Sequence, residues 1–382
     1  MDVSANILRI AVAPPDPGGA PAAGVTRWRP VLRAMLRVHR LDALVRRLMT
    51  RATRGARRSG MLTIDPALFR PEAIAPETQA EIDRIEAALA DAPTVMELGP
   101  EKTRELRRQG VGVIPIQPFH PMAQWETATA LGREVPVRIF RPDGDLRGIY
   151  LHIHGGGHTL GSADSQDQML ARLAERARVG VVSVEYRLGP ENHWPAPADD
   201  CETAAVWLAE NARALFGAEG VVVGGESAGG HLSAVTVVRM RNNHGYRFRG
   251  ANLVYGLYDW SKLPSLVNWG TRNLIINTEI VVWFGEQIRP AAVFGTDRDK
   301  DPDLSPAYAD LRGLCPALFT IGTLDPLLDD TLLMAPKWLA AGNETELAIY
   351  PGGIHAFDMI EGLPIAEEHH RRAADFVTRC LA

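Results

Sequence analysis

Apolar residues along this chain follow two different rhythms, and the rhythm changes near Gln124. Before that point the spacing is helical. From Val31 to Met49, Leu32, Met35, Leu36, Leu41, Leu44, Val45 and Leu48 recur at three- and four-residue steps, while Arg33, Arg37, Arg40, Arg47 and Arg51 fall on the other side. That is the pattern of an amphipathic helix. A second helix is predicted over Glu77–Ala90 on the stripe Ile82, Ile85 and Leu89, and a short charged one over Glu101–Gln109. Residues 1–24 are rich in Pro, Gly and Ala without periodicity and read as a loose tail.

Beyond Gln124, short β-rich runs alternate with helical ones. The predicted strands are Val135–Phe140, Ile149–Ile153, Val179–Val184, Gly220–Val223, Ala251–Tyr255, Leu318–Ile321 and Leu347–Tyr350. The predicted helices are Ser165–Arg178, Asp199–Ala214, Ala228–Arg241, Asp329–Ala341 and Ala366–Leu381. Continuous Val and Ile runs interleaved with helices predict an α/β fold, with a mostly parallel sheet covered on both faces. Residues 125–382 are the expected α/β domain. Residues 25–124 are an N-terminal helical cap region, and residues 260–300, which break the alternation, are an insertion that adds to the cap.

One of these strand-to-helix junctions carries chemistry. Val221-Val222-Val223 runs into Gly225-Glu226-Ser227-Ala228-Gly229 and then a helix. A serine on such a sharp turn is pushed out above the sheet, and the turn needs small residues two positions to either side. Upstream, the strand Leu151-His152-Ile153 ends in His154-Gly155-Gly156-Gly157. Glycines let the backbone turn its amides toward a ligand without hindrance from a Cβ. A phosphate loop would want Lys-Ser/Thr after the glycines, or Gly-x-Gly-x-x-Gly opening a helix, and neither occurs. The amides of Gly155, Gly156 and Ala228 are therefore the candidates to hold a developing oxyanion.

A serine hydroxyl needs a base, and the base needs an orienting acid. Downstream of Ser227 the candidates for the base are His355, in a loop after a predicted strand, and His369 and His370 within a polar helix that reads as solvated surface. His355 is the expected base. Asp325, just past the strand Leu318–Ile321, is the expected acid. Asp329 and Asp330 compete, but at a predicted helix start they read as capping residues. His152 reads as a satisfied core histidine, and Arg187, Glu191, Asp199 and Asp200 as braces beneath the glycine loop.

Together these stretches resemble the hormone-sensitive-lipase-like (bacterial family IV) carboxylesterases of the α/β-hydrolase fold. The resemblance rests on His154-Gly155-Gly156-Gly157, Glu185-Tyr186-Arg187-Leu188-Gly189-Pro190-Glu191, Gly225-Glu226-Ser227-Ala228-Gly229-Gly230, Gly322-Thr323-Leu324-Asp325-Pro326-Leu327 and His355-Ala356-Phe357. It covers about residues 125–382 and implies hydrolysis of carboxylic esters through an acyl-enzyme on Ser227. It also implies no cofactor and no metal, a cap built from N-terminal helices plus an insertion after the sixth strand, and a homodimer. The chain departs from the family at His158, where a bulky aromatic or apolar residue is usual. It departs again at Glu226, where Asp is frequent, and at Tyr255-Gly256-Leu257-Tyr258-Asp259-Trp260. His158 and Tyr258 are the expected substrate contacts. Amidase, lactonase or peptidase chemistry on the same triad, or a non-catalytic small-molecule receptor on the same fold, are the alternatives.

Charge and composition alter this picture little. The chain carries −5 overall, which suggests no nucleic-acid partner, but residues 27–58 hold eleven arginines against the single acid Asp42. Such a stripe allows weak contact with a membrane surface. No run approaches the ~18 apolar residues of a spanning helix, and the N-terminus lacks the pattern of a secretory signal. Cys201, Cys315 and Cys380 are too few and too scattered for a disulfide framework. A cytoplasmic setting is the expectation.

Overall fold

The computed structural model describes residues 62–112, 118–289 and 295–382. The tail and the arginine-rich helix expected over Val31–Met49 lie outside the described residues.

Eight strands form one sheet: β1 (Ala123–Ala130), β2 (Arg133–Phe140), β3 (Gly148–Ile153), β4 (Val179–Val184), β5 (Val221–Glu226), β6 (Gly250–Val254), β7 (Ala317–Leu324) and β8 (Thr345–Ile354). Their order across the sheet is β1-β2-β4-β3-β5-β6-β7-β8. β2 runs antiparallel to both its neighbours, and β3 to β8 are parallel. The parallel strands β3, β4, β5 and β6 are buried at every position, which is why they are rich in Val, Ile and Leu and show no inside–outside alternation. β1 escaped sequence reading because it is an edge strand. Of its eight residues only Ala128 is buried, so Ala-Gln-Trp-Glu-Thr-Ala-Thr-Ala carries no apolar run. The two-residue turn Leu131-Gly132, at φ 52° and 70°, joins it to β2, and the Gly at that position was the available hairpin signal.

Helices α1 (Pro76–Ala90), α2 (Val95–Arg108), α3 (Asp167–Ala177), α4 (Ala196–Phe216), α5 (Ala228–His244), α6 (Pro264–Trp269), α7 (Thr278–Ile288), α8 (Leu328–Ala340) and α9 (Pro364–Cys380) complete the described elements, apart from short 3-10 turns. The expected cap region divides in two. Leu62, Leu68, Ile82 and Ile85 join the main core, and Ile74 and Thr78 lie close against Gly352 of β8. α2 instead faces the insertion. It starts at a Thr94–Glu97 capping box and bends at Gly99, whose φ is 74°. Val95 and Met96 pack on a second apolar cluster that contains Leu160, Trp260, Leu266, Ile280, Val281 and Phe284. The helical cap that packs around this second cluster is α2 together with α6 and α7, which follow β6 in the chain.

Two sequence expectations are corrected. Asp329 and Asp330 stand in the first turn of α8 but cap no amide of their own helix. Asp330 Oδ1 accepts from the N–H groups of Tyr258 and Asp259 at 2.6 and 2.8 Å, and Asp329 Oδ2 accepts from Ser265 N–H at 2.8 Å. They strap the segment after β6 to α8. His369 is 3% exposed rather than solvated, because it shares the inward stripe of α9 with Ala366, Ala373 and Val377. His370 Nε2 donates to the Asp358 carbonyl at 2.9 Å. No helix among the described residues is long and apolar enough to cross a membrane.

Replacing Asp330 by alanine leaves two buried amides without an acceptor, at a cost of about 1–3 kcal/mol for each unsatisfied group. The expected result is a Tm at least about 2 °C below that of the parent chain. Thermal melting followed by circular dichroism checks this, and an unchanged Tm would show that the strap adds nothing.

Candidate active site

Four parallel strands end at one edge, and each delivers a chemical group in its first residue beyond the sheet. His154 follows β3, Ser227 follows β5, Asp325 follows β7 and His355 follows β8. Carboxyl ends of parallel strands are where open α/β sheets place their ligands.

Ser227 sits at φ 57° and ψ −119°, a conformation that costs a residue with a Cβ on the order of 1–3 kcal/mol. Its N–H donates to Val254 O at 2.9 Å, and its carbonyl accepts from His231 N–H at 3.0 Å. The flanking glycines are obligatory on space alone. A Cβ at Gly225 would stand 2.0 Å from the Ile153 carbonyl oxygen, and one at Gly229 would stand 1.8 Å from it. The serine hydroxyl caps no helix amide. Its Oγ lies 2.8 Å from His355 Nε2, and His355 Nδ1 lies 2.9 Å from Asp325 Oδ2. Asp325 Oδ1 accepts from Leu327 N–H at 2.9 Å, and the carboxylate is 1% exposed. Because a carboxylate can only accept, His355 Nδ1 carries the proton and Nε2 is left as the acceptor for the serine hydroxyl. The structure therefore brings together all three residues that the sequence singled out.

Gly155 lies against the Ser227 turn, since a Cβ there would meet Glu226 O at 2.9 Å and Ser227 Cβ at 3.5 Å. Among the described residues, the N–H groups of Gly155, Gly156 and Ala228 donate no hydrogen bond. Ala228 opens α5, so its N–H belongs to the positive end of that helix.

The loop is held from several directions. Tyr186 OH donates to His154 O at 2.9 Å, and the two rings stack at 4.2 Å. Arg104 of α2 donates through Nε to Thr159 O at 2.8 Å and through a terminal nitrogen to Gly189 O at 2.5 Å, while pairing with Glu191 at 2.8 Å. The Phe284 ring of α7 occupies the space a Cβ on Gly157 would need, 2.3 Å away. Below the loop, Arg187 grips Asp200 through two nitrogens, at 2.8 and 2.7 Å, and Asp199 pairs with Arg239 at 2.9 Å. His152 is a satisfied core histidine, with Nδ1 2.8 Å from Ser183 Oγ and Nε2 3.0 Å from Glu226 Oε2.

The two expected substrate contacts are placed differently. Tyr258 is fully buried, its ring against Phe319 and its backbone N–H in the strap on Asp330, while its hydroxyl has no hydrogen-bond partner among the described residues. His158 is 1% exposed; its Nε2 lies 3.0 Å from His231 Nδ1, while its own Nδ1 has no hydrogen-bond partner among the described residues. Sequence reading missed Tyr255 and Asp358. The Tyr255 ring lies 4.7 Å from the His355 ring, and its hydroxyl donates to Asp358 Oδ1. A tyrosine directly after β6, at the edge where the triad assembles, was the available signal. Among the described residues, no group of three His, Cys, Asp or Glu is arranged to hold a metal ion.

A family model described as the alpha/beta hydrolase fold matches residues 150–359. An ethyl acetate hydrolase of Pseudomonas putida is 34% identical over 234 residues, which cover 59% of this chain and 72% of that protein. An esterase of Pyrobaculum calidifontis superimposes with a TM-score of 0.71 at 28% identity, covering 80% of this chain and 98% of that one. An esterase from the bacterial hormone-sensitive lipase (HSL) family does so with a TM-score of 0.68 at 26% identity, covering 81% and 99%.

Two predictions follow from this geometry. Gly229→Ala forces its Cβ onto the Ile153 carbonyl, a backbone atom that cannot swing aside, so the turn must distort. Activity on a small chromogenic ester should fall by a factor of 10² or more, and a fully active Gly229→Ala chain would contradict the packing.

The second concerns pH. Burial lowers His154 to about 3 and His231 to about 4, and pushes His158 and His369 well below the ordinary histidine range. Burial also raises Asp358 to about 6 and Asp330 to about 8. As pH falls below the unfolded histidine value of 6.5, the unfolded chain binds protons that the four buried rings refuse, and stability drops. As pH rises from 3.8 toward 8, the two carboxyls favour folding progressively less. Four histidines outweigh two acids below neutrality, so Tm should peak at roughly pH 6.5–7. A Tm that climbed steadily toward pH 5 would refute the burial of these rings as neutral species.

Proposed function

The chain belongs to the α/β-hydrolase family, related to the hormone-sensitive-lipase-like carboxylesterases, and from that premise we propose that Ser227, His355 and Asp325 are its catalytic triad. The protein is a serine-type carboxylic ester hydrolase. The observation that supports the assignment best is the unbroken run from Asp325 Oδ2 through both nitrogens of His355 to Ser227 Oγ, at 2.9 and 2.8 Å.

Ser227 Oγ attacks the ester carbonyl carbon while His355 Nε2 takes the hydroxyl proton. Asp325 holds the Nδ1–H tautomer and stabilises the imidazolium that forms. The tetrahedral oxyanion is received by the Gly155, Gly156 and Ala228 amides, which donate to no acceptor among the described residues and so are available for it. His355 Nε2–H then protonates the leaving alkoxide and the alcohol departs. Water enters, gives its proton to His355 and attacks the acyl-enzyme, releasing the acid and restoring Ser227. The Tyr255 ring lies 4.7 Å from the imidazole, tilted by 59°.

The substrates we assign are small esters with short acyl groups. The Pseudomonas putida relative is an ethyl acetate hydrolase, and Phe284 of the cap presses directly on the glycine loop at Gly157. A homodimer and a cytoplasmic setting are carried forward from the family resemblance and the scattered free cysteines.

Ser227→Ala should lower kcat on p-nitrophenyl acetate by about 10⁴-fold or more while leaving the fold intact. A variant that keeps most of its activity would rule out Ser227 as the nucleophile. Across p-nitrophenyl esters, kcat/KM should be highest for two- to four-carbon acyl groups and lower by roughly tenfold at eight carbons, about what a filled apolar pocket can discriminate. Matched anilides and lactones assayed alongside test the ester preference, and faster turnover of either class would overturn it.

A further inference from the structure

Two of the buried histidines that the acyl-transfer scheme leaves unused, His158 and His231, lie against each other. His158 directly follows the glycines and sits at φ 58°, a left-handed conformation uncommon for a residue with a Cβ. Its carbonyl accepts from Gly189 N–H at 2.9 Å, and its Nε2 lies 3.0 Å from His231 Nδ1. His231 stands one turn into α5, where its own N–H donates to Ser227 O at 3.0 Å. On its far side, His231 Nε2 lies 2.6 Å from Leu304 O. One ring thus touches the glycine loop, and the other touches both the nucleophile helix and the segment that returns from the cap insertion.

The proton positions in this pair of rings follow from the Leu304 end. Leu304 O can only accept, so His231 Nε2 carries a proton. Burial keeps both rings neutral, and a neutral imidazole has one N–H, so His231 Nδ1 is a bare acceptor and His158 Nε2 must donate to it. The Trp260 indole N–H, 3.4 Å from His231 Nε2, faces a nitrogen that is already protonated, and it contributes ring packing rather than a hydrogen bond. The order of donation therefore runs from the glycine loop to the nucleophile helix, and from that helix to the cap segment.

The proposed oxyanion site is assembled from two pieces of chain that share no secondary structure. Gly155 and Gly156 come from the loop after β3, and Ala228 comes from the first residue of α5. Donors to one oxyanion must hold their mutual placement to about 0.5 Å to be effective. We propose that His158 is a positioning residue for this reaction: its Nε2–H bond to His231 keeps the Gly155–Gly157 loop in register with the start of α5, so that the three amides converge on one oxygen. The proposal rests on the reading of those amides as the oxyanion site.

The test is a set of variants assayed for kcat, KM and inhibition by an aryl trifluoromethyl ketone, which Ser227 converts to an oxyanion-bearing adduct, with Tm measured for each chain. His158→Leu keeps the bulk and removes the donor. It should lower kcat by roughly 10- to 100-fold, as expected for misplaced rather than missing groups. KM should move by less than about threefold, and ketone affinity should fall in step with kcat. His158→Gln puts an amide N–H where Nε2 was and should recover kcat to within about threefold of the parent chain. A residue that merely packs would lower Tm and leave the kcat of the folded fraction unchanged.

A folded His158→Leu chain with parental kcat and ketone affinity overturns the proposal, as does a His158→Gln chain no better than His158→Leu. If His158→Leu does not fold, His231→Asn and His231→Leu decide the matter. Asparagine keeps an acceptor at the Nδ1 position and leucine does not, so equal kcat in the two overturns the proposal and a faster asparagine variant supports it. The reading beneath it fails differently, through a parent chain that the ketone does not inhibit. Tight inhibition of the parent and of His158→Leu alike removes the brace alone.

Discussion

At the end of β5 the chain reverses beside the Ile153 carbonyl so closely that a Cβ on either flanking glycine would lie within about 2 Å of that oxygen. This contact is the constraint on which the site depends. It forces Gly225 and Gly229, and it leaves Ser227 at a positive φ with its hydroxyl off the helix axis. It also brings the loop after β3 against the nucleophile turn. The strain is local and is held by backbone bonds on both sides, Ser227 N–H to Val254 O and His231 N–H to Ser227 O. β6 supplies Val254, and Tyr255 next to it lies against His355, so this strand ties the turn to the base.

The cap does more than cover this edge. Arg104 from α2 holds two carbonyls of the loops around the glycines, Phe284 from α7 fills the space over Gly157, and the Leu304 carbonyl anchors His231. Substrate enclosure and placement of the glycine loop are therefore mechanically linked. The burial needed for this enclosure also leaves several polar side chains without water, which is why histidines near the site stay neutral and two carboxyls are pushed upward.

Period and motif alone were sufficient for the parallel strands and the helices between them, and they singled out the serine, acid and histidine that the structure places within hydrogen-bond distance of one another. Each of these is a local property: a strand buried on both faces is mostly apolar, and a strained turn must be flanked by glycine. What the sequence could not determine was anything decided by a partner distant in the chain. β1 is exposed and carries no apolar run, so only its pairing with β2 makes it a strand. Asp330 looks like a helix cap until the Tyr258 and Asp259 amides arrive over it. His369 looks polar until α9 turns it inward. His158 and Tyr258 looked like substrate contacts because they flank the site in sequence, yet tertiary packing gave their neighbourhoods to His231 and Phe319. By itself, then, the sequence determined which atoms could do the chemistry. Only the tertiary structure decided which neighbouring polar groups were already committed within the protein, because burial and hydrogen-bond partners are set by residues tens of positions away.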